Sequence, residues 1–248
     1  MKASILPFLL LFGIAASPAT AEKPDPAATI PVKSGQTIAF LGDSITAGGA
    51  RPGGYCRMVI DGLKHEGIDV SGVFAGISGH KSNQMLARLD KDVLSKKPDW
   101  MTLSCGVNDV WHGARGVPLD DYKKNITAIV EQAQAAGVKV MILTSTMIKE
   151  DQQNDLNQKL VPYNAFLREL AEAKGCLLAD LNAAMQEALK EFPADAPKGK
   201  QLTRDGVHMN ALGNKMMGAA ILEAFGVPEE KVAAFAKDWP AVPAGAKK

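Results

Sequence analysis

Between residues 37 and 225, short apolar and β-branched runs alternate with longer segments of helical periodicity. The runs are 37–41, 70–75, 100–105, 138–144 and 176–180, each bounded by glycine, proline or charged residues. Apolar runs of that length fit strands covered on both faces. The segments with helical spacing are 55–65, 83–94, 119–136 and 162–174, followed by 183–191 and 211–225. Leu119, Tyr122, Ile126, Ile129, Val130 and Ala133 illustrate the pattern: one apolar stripe with polar and charged residues between. Strand–helix alternation needs right-handed crossovers, which cover both faces of a parallel sheet with helices. The expected fold class is α/β, a three-layer α/β/α sandwich with a parallel sheet of about five strands. The order of the strands is not legible. In such sheets, functional residues gather on loops at the carboxyl ends of the strands.

The first residues have a different character. Lys2 supplies a positive start, residues 5–16 are an apolar run, and Ala19-Thr20-Ala21 is a small-residue cleavage pattern. The run is shorter than the ~20 residues a membrane-spanning helix needs. The expectation is a signal peptide over 1–21, cut near Ala21, which makes the protein secreted or periplasmic. No integral membrane span is expected after cleavage. A Pro- and Ala-rich leader follows over 22–35, then one domain over 36–227, then a C-terminal helix and tail over 228–248. Residues 145–159 read as a polar loop, either a rim or lid or plain solvated surface.

The chain carries 28 basic and 27 acidic groups in 248 residues. A balanced body gives no electrostatic reason to expect nucleic acid as a partner. Three cysteines, Cys56, Cys105 and Cys176, are too few for a disulfide framework, and the latter two lie in apolar runs. Neither Cys-x-x-Cys nor His-Glu-x-x-His occurs, so no metal site and no cofactor is expected.

Four loops carry the residues that chemistry needs. Gly42-Asp43-Ser44-Ile45-Thr46 follows the first run, Gly76-Ile77-Ser78-Gly79-His80 the second, and Gly106-Val107-Asn108-Asp109 the third. Asp205-Gly206-Val207-His208 precedes the last long helix. A serine hydroxyl needs an adjacent base to attack an acyl carbon near neutral pH. That base needs a carboxylate on its other nitrogen, and the developing oxyanion needs aimed donors. Asp205 and His208, three residues apart in a turn, can reach each other. Ser44 can present its hydroxyl above the sheet. Gly79 offers an unobstructed backbone N–H and Asn108 an amide.

These blocks resemble the SGNH (GDSL-type) hydrolases, named for Ser, Gly, Asn and His in four blocks. All four occur here in family order. The resemblance implies a flavodoxin-like α/β/α fold and a carboxylic ester hydrolase with Ser44 as nucleophile, His208 as base and Asp205 as its orienting partner. It implies an oxyanion hole made by the Ser44 and Gly79 N–H groups and the Asn108 side chain. No Gly-x-Ser-x-Gly elbow surrounds Ser44, so the α/β-hydrolase arrangement is not the template. One departure is visible at His80-Lys81-Ser82, where many relatives have an acidic or small residue and then Thr.

The implied substrate is a small-molecule or carbohydrate ester, with a short acyl group such as acetyl. A lysophospholipase or lipid esterase is the nearest alternative. A non-catalytic carbohydrate- or phosphate-binding α/β protein is the alternative of another class. The first loop carries neither nucleotide-binding glycine signature, and phosphate binding gives no reason for Asp205, His208 and Asn108. Oligomeric state is not legible. Ser44 as a simple helix cap, Asp43 as a local loop-holding group and Asp109 as a structural hydrogen-bonding group are the plainer readings of those residues.

Overall fold

The computed structural model describes residues 30–193, 199–237 and 239. The expected signal peptide and its cleavage site lie outside the described residues. All five expected strands form: β1 (Thr37–Gly42), β2 (Ser71–Gly76), β3 (Trp100–Ser104), β4 (Lys139–Leu143) and β5 (Leu177–Ala179). They make one parallel sheet in the order β2-β1-β3-β4-β5, the flavodoxin-like arrangement. From β1 the chain moves outward to β2, then returns past β1 to β3. The crevice between the carboxyl ends of β1 and β3 is therefore the topological switch point, where open α/β sheets bind ligands.

The helices are α1 (Ser44–Gly49), α2 (Tyr55–His65), α3 (Ser82–Asp92), α4 (Val107–Trp111) and α5 (Leu119–Ala135), followed by α6 (Asp155–Ala173), α7 (Leu181–Lys190), α8 (Ala211–Ala224) and α9 (Glu229–Phe235). α2, α7, α8 and α9 pack together as one layer, and α3, α5 and α6 as the other. Right-handed crossovers put these layers on opposite faces. The core lies between each layer and the sheet, with Ile38, Phe40, Met101, Ile142 and Ile221 fully buried. Phe40 stacks on Phe74 at 5.7 Å between ring centroids and meets the Tyr55 ring edge-on at 6.4 Å. Burying a side chain of this size contributes about 1.5–3 kcal/mol.

Two glycines let the first turn of chain sit directly on the sheet. A Cβ on Gly42 would collide with the Thr46 side chain, and one on Gly76 with the backbone of Ala47. α1 thus lies over the ends of β1 and β2, and it is the element that carries Ser44.

The expected loop over 145–159 is shorter than its composition suggests. Asn154 caps α6, its Oδ1 accepting from Leu156 N and Asn157 N at 3.0 Å each, so Asp155 to Lys159 are already helical. α6 runs on through Pro162 rather than starting there. Residues 145–148 are buried; Ser145 N, for example, donates to Asn164 Oδ1 at 2.8 Å. Only 149–154 remains as surface loop. The one-turn helices α1 and α4 are too short for periodicity to reveal. All three cysteines are free, Cys56 and Cys105 buried. Among the described residues, no helix is long and apolar enough to cross a membrane.

Candidate active site

Ser44 is the first residue of α1, half-buried at the end of β1. The cap of that helix is Asp43 rather than Ser44: Asp43 Oδ1 accepts from Ile45 N at 2.9 Å, which leaves the Ser44 hydroxyl free for other partners. Opposite it stands the turn at 205–208. Asp205 Oδ1 accepts from Val207 N at 3.0 Å and His208 N at 2.8 Å, an Asx-type turn, with Gly206 at φ +93°. An antiparallel bridge between Thr203 and Met209 closes the base of the turn.

The turn brings three side chains into line. Asp205 Oδ2 lies 2.7 Å from His208 Nδ1, and His208 Nε2 lies 2.9 Å from Ser44 Oγ. Burial pushes the Asp205 carboxyl up, but the hydrogen bonds from the His208 N–H, the His208 ring and the Val207 N–H outweigh it, and its pKa is lowered. An ionised carboxylate can only accept, so in the neutral ring the proton sits on Nδ1. Nε2 is then the acceptor facing the serine hydroxyl.

Asn108 stands in the first turn of α4, after Gly106, whose φ of +139° and closeness to Tyr122 and Ser145 exclude a side chain. Its Nδ2 donates to Asp43 Oδ2 at 3.1 Å and to the His80 carbonyl at 3.2 Å. Gly79 adopts φ +77° on the exposed loop after β2, immediately before that carbonyl. Asp43 is 2% exposed, and desolvation raises its pKa to about 6 against the hydrogen bond from Ile45.

The family model for the GDSL-like lipase/acylhydrolase family matches residues 40–216, which include all five of these side chains and Gly79. The chain belongs to that family. It is a carboxylic ester hydrolase. An acetylxylan esterase of Geobacillus stearothermophilus is 29% identical over 216 residues, covering 79% of this chain and 96% of the relative. An isoamyl acetate-hydrolyzing esterase of Schizosaccharomyces pombe is 26% identical, covering 82% of this chain and 76% of the relative. Among solved structures, the Geobacillus enzyme superposes with a TM-score of 0.72 at 28% identity, over 80% of this chain and 97% of that one. The acetyl xylan esterase AlAXEase gives 0.69 at 35% identity, over 76% and 98%.

In this GDSL-like hydrolase the loops are braced by a residue that the sequence reading missed. Arg88 is 8% exposed; its Nη2 donates to the Gly42 carbonyl at 2.9 Å and its Nε to His80 Nδ1 at 3.1 Å, while Nη1 pairs with Asp92 at 3.0 Å. The available signal was its place on α3 between Met85 and Leu89, on the buried stripe, where an arginine needs partners. Because the guanidinium only donates, His80 Nδ1 is an acceptor and the ring proton sits on Nε2. Desolvation, then the Arg88 charge, lowers the His80 pKa against the pull of Asp92.

Asp109 is buried and accepts from Ser82 N at 2.9 Å at the start of α3, as its structural reading required. Desolvation raises its pKa. His112 Nδ1 lies 2.9 Å from the Asn108 carbonyl, and His65 stacks on Phe235. Only His208 among the four histidines has a carboxylate on one nitrogen and a serine on the other. Among the described residues, no group of three or more His, Cys, Asp or Glu could hold a metal ion.

Proposed function

We propose that this hydrolase is an exported serine esterase that removes short acyl groups, acetyl in particular, from a carbohydrate through an acyl-enzyme on Ser44. The observation that carries the mechanism is the unbroken line from Asp205 through His208 to Ser44, at 2.7 and 2.9 Å. His208 takes the Ser44 proton as Oγ attacks the ester carbon, then passes it to the departing alcohol. Water, activated by the same imidazole, releases the acid and restores the serine. Asp205 holds the ring and stabilises the imidazolium. The Ser44 and Gly79 N–H groups and the Asn108 amide receive the oxyanion. The Asn108 bond to the His80 carbonyl is the longer of its two, and the oxyanion can replace it while Asp43 keeps the amide in place.

The acetyl preference is supported by the relatives: acetylxylan esterases match over almost their whole length, and the yeast relative is named for an acetate ester. Trp111, 44% exposed, stands on α4 with Asn108 and offers a flat amphipathic face of the kind a sugar ring packs against. Acetate release from acetylated xylo-oligosaccharides, measured beside p-nitrophenyl esters of increasing chain length, tests the substrate. The expected result is a kcat/KM that is highest for acetyl and falls with chain length. A preference for lysophospholipid would overturn the acetyl reading and favour the lipid esterase.

Export is supported by the charged start, apolar run and Ala-Thr-Ala pattern of residues 1–21. Protein recovered outside the cytoplasm should begin near Glu22; an intact Met1 on it would contradict cleavage.

A further inference from the structure

We propose that Glu150 is a positioning residue for the acid–base pair, and that fixing this turn is what the short surface loop 149–154 does. The inference rests on reading Asp205 and His208 as that pair. Glu150 is separated from Asp205 in sequence by α6, β5 and α7, yet its carboxylate is spent on the segment leading into it. Oε2 accepts from Gln201 N at 2.7 Å. Oε1 accepts from Leu202 N at 2.8 Å, from Thr203 N at 2.6 Å and from Thr203 Oγ1 at 2.7 Å. Three consecutive backbone N–H groups and a hydroxyl thus converge on one carboxylate, and hydrogen bonds to an ionised acceptor are among the stronger kind.

The connection continues into the turn. Thr203 Oγ1 accepts from Gly206 N at 3.0 Å. Its own hydrogen goes to Glu150, since the alternative acceptor, the Gly199 carbonyl, is at 3.5 Å. On the other side, Lys149 N donates to the Gly206 carbonyl at 2.6 Å. The N–H and the carbonyl of Gly206, one residue from Asp205 and two from His208, are therefore both held from 149–150, the first through Thr203 and the second directly. Lys149 adopts φ +59°, a left-handed conformation that a residue with a side chain adopts only under constraint.

That constraint comes from α6. Asn157, buried in its first turn, accepts from Ile148 N at 2.8 Å and donates to the Lys149 and Asp151 carbonyls. Asn154 donates to the Ile148 carbonyl at 2.8 Å. The loop is pinned at its base by the helix and pins the turn at its tip. The hydrogen bonds that Asp205 makes within the turn are local, so loss of the Glu150 carboxylate lets the imidazole drift from its place opposite Ser44. Misplacement of a catalytic group by about 1 Å can cost roughly 10²-fold in rate.

The test compares Glu150→Ala, Glu150→Gln and Thr203→Val with the full-length wild type on p-nitrophenyl acetate. It also follows the low-field proton resonance of the His208 Nδ1–H bonded to Asp205, and the melting temperature. Glu150→Ala is expected to lower kcat by roughly 10- to 100-fold with little change in KM, and to broaden or abolish the low-field resonance. Glu150→Gln should recover part of both, because its carbonyl oxygen can keep the Leu202 and Thr203 bonds. Thr203→Val, which keeps the three backbone bonds to Glu150 and removes the hydroxyl that joins Glu150 to Gly206, should lower kcat by less. If Glu150→Ala melts lower but keeps kcat within about twofold per active site and keeps the resonance, the role is structural only and the proposal fails. If Glu150→Ala does not fold, wild-type kcat and resonance in both Glu150→Gln and Thr203→Val overturn it. Ser44→Ala is measured alongside: turnover surviving there defeats the serine-esterase reading, whereas turnover lost there and kept in the Glu150 and Thr203 variants defeats this inference alone.

Discussion

The Asn108 amide donates to the Asp43 carboxylate at 3.1 Å, and its second hydrogen goes to the His80 carbonyl at 3.2 Å. Asp43 follows β1, His80 follows β2 and Asn108 follows β3, so one side chain joins the carboxyl ends of three adjacent strands. Arg88 reinforces the same junction from below through Gly42 and His80. The site is held by polar bonds between loops, with few backbone bonds linking them.

Asn108→Ala is expected to act on both stability and rate. It leaves the buried Asp43 Oδ2 without a partner, at a cost of about 1–3 kcal/mol. It also removes one proposed oxyanion donor, which lowers kcat by roughly 10²–10³. KM should change little, because that bond strengthens mainly in the transition state. Steady-state kinetics on the folded variant check this; a raised KM with unchanged kcat would make Asn108 a ground-state binding group.

Asp43 should leave a mark on the pH dependence of stability. Its pKa is raised from 3.8 to about 6, chiefly by desolvation, so the folded protein holds a proton that the unfolded chain has released. The stability this represents is present below 3.8 and lost as pH rises through about 6. The difference corresponds to about 3 kcal/mol at most. Denaturant unfolding of wild type and Asp43→Asn at several pH values isolates it. Whatever constant offset the substitution brings, the variant should gain on the wild type between pH ~4 and ~6. A difference that is flat with pH would contradict the buried, raised carboxyl.

His80 should titrate below the ordinary histidine value of 6.5, because burial and the Arg88 charge both disfavour its protonated form. In Arg88→Gln the repelling charge is gone, so the His80 pKa should move up. NMR titration of the His80 ring Cε1–H reads this directly; an unchanged value would mean that Arg88 does not govern the ring.

Removal of the proposed acid–base groups should have graded effects. His208→Ala is expected to remove nearly all turnover, since nucleophile and base act as a unit. Asp205→Ala should leave more, because in the proposed mechanism Asp205 orients the ring and never carries the transferred proton. kcat of the two variants on p-nitrophenyl acetate decides the order. Abolition of activity by His80→Ala or His112→Ala, with His208→Ala active, would refute the assignment.

Much of this was legible in the sequence because it depends on local pattern. The runs that became β1 to β5 are short and largely apolar, and the site residues stand in short blocks, three at strand ends and one before α8. Asp205 and His208 were readable as a pair because their contact is made within one turn. The strand order was not legible, since it depends on which crossovers pass which strand. Arg88 and Glu150 were missed for a related reason: each holds backbone groups far away in sequence, Gly42 for Arg88 and residues 201–203 for Glu150, which carry no sequence signature. The polar stretch around Asn154 and Asn157 was read as loop because asparagine favours loops and helix caps alike, and only the α6 contacts separate the two.

The most direct test of the account is whether Ser44 is the nucleophile. The wild-type protein, treated with a fluorophosphonate and digested, should carry the label on Ser44 with loss of esterase activity in proportion. Ser44→Ala should take up no label and lose turnover by roughly 10⁴-fold or more. Label found on another residue, or an unlabelled Ser44 in an enzyme that the reagent inactivates, would contradict the role assigned to the serine facing His208.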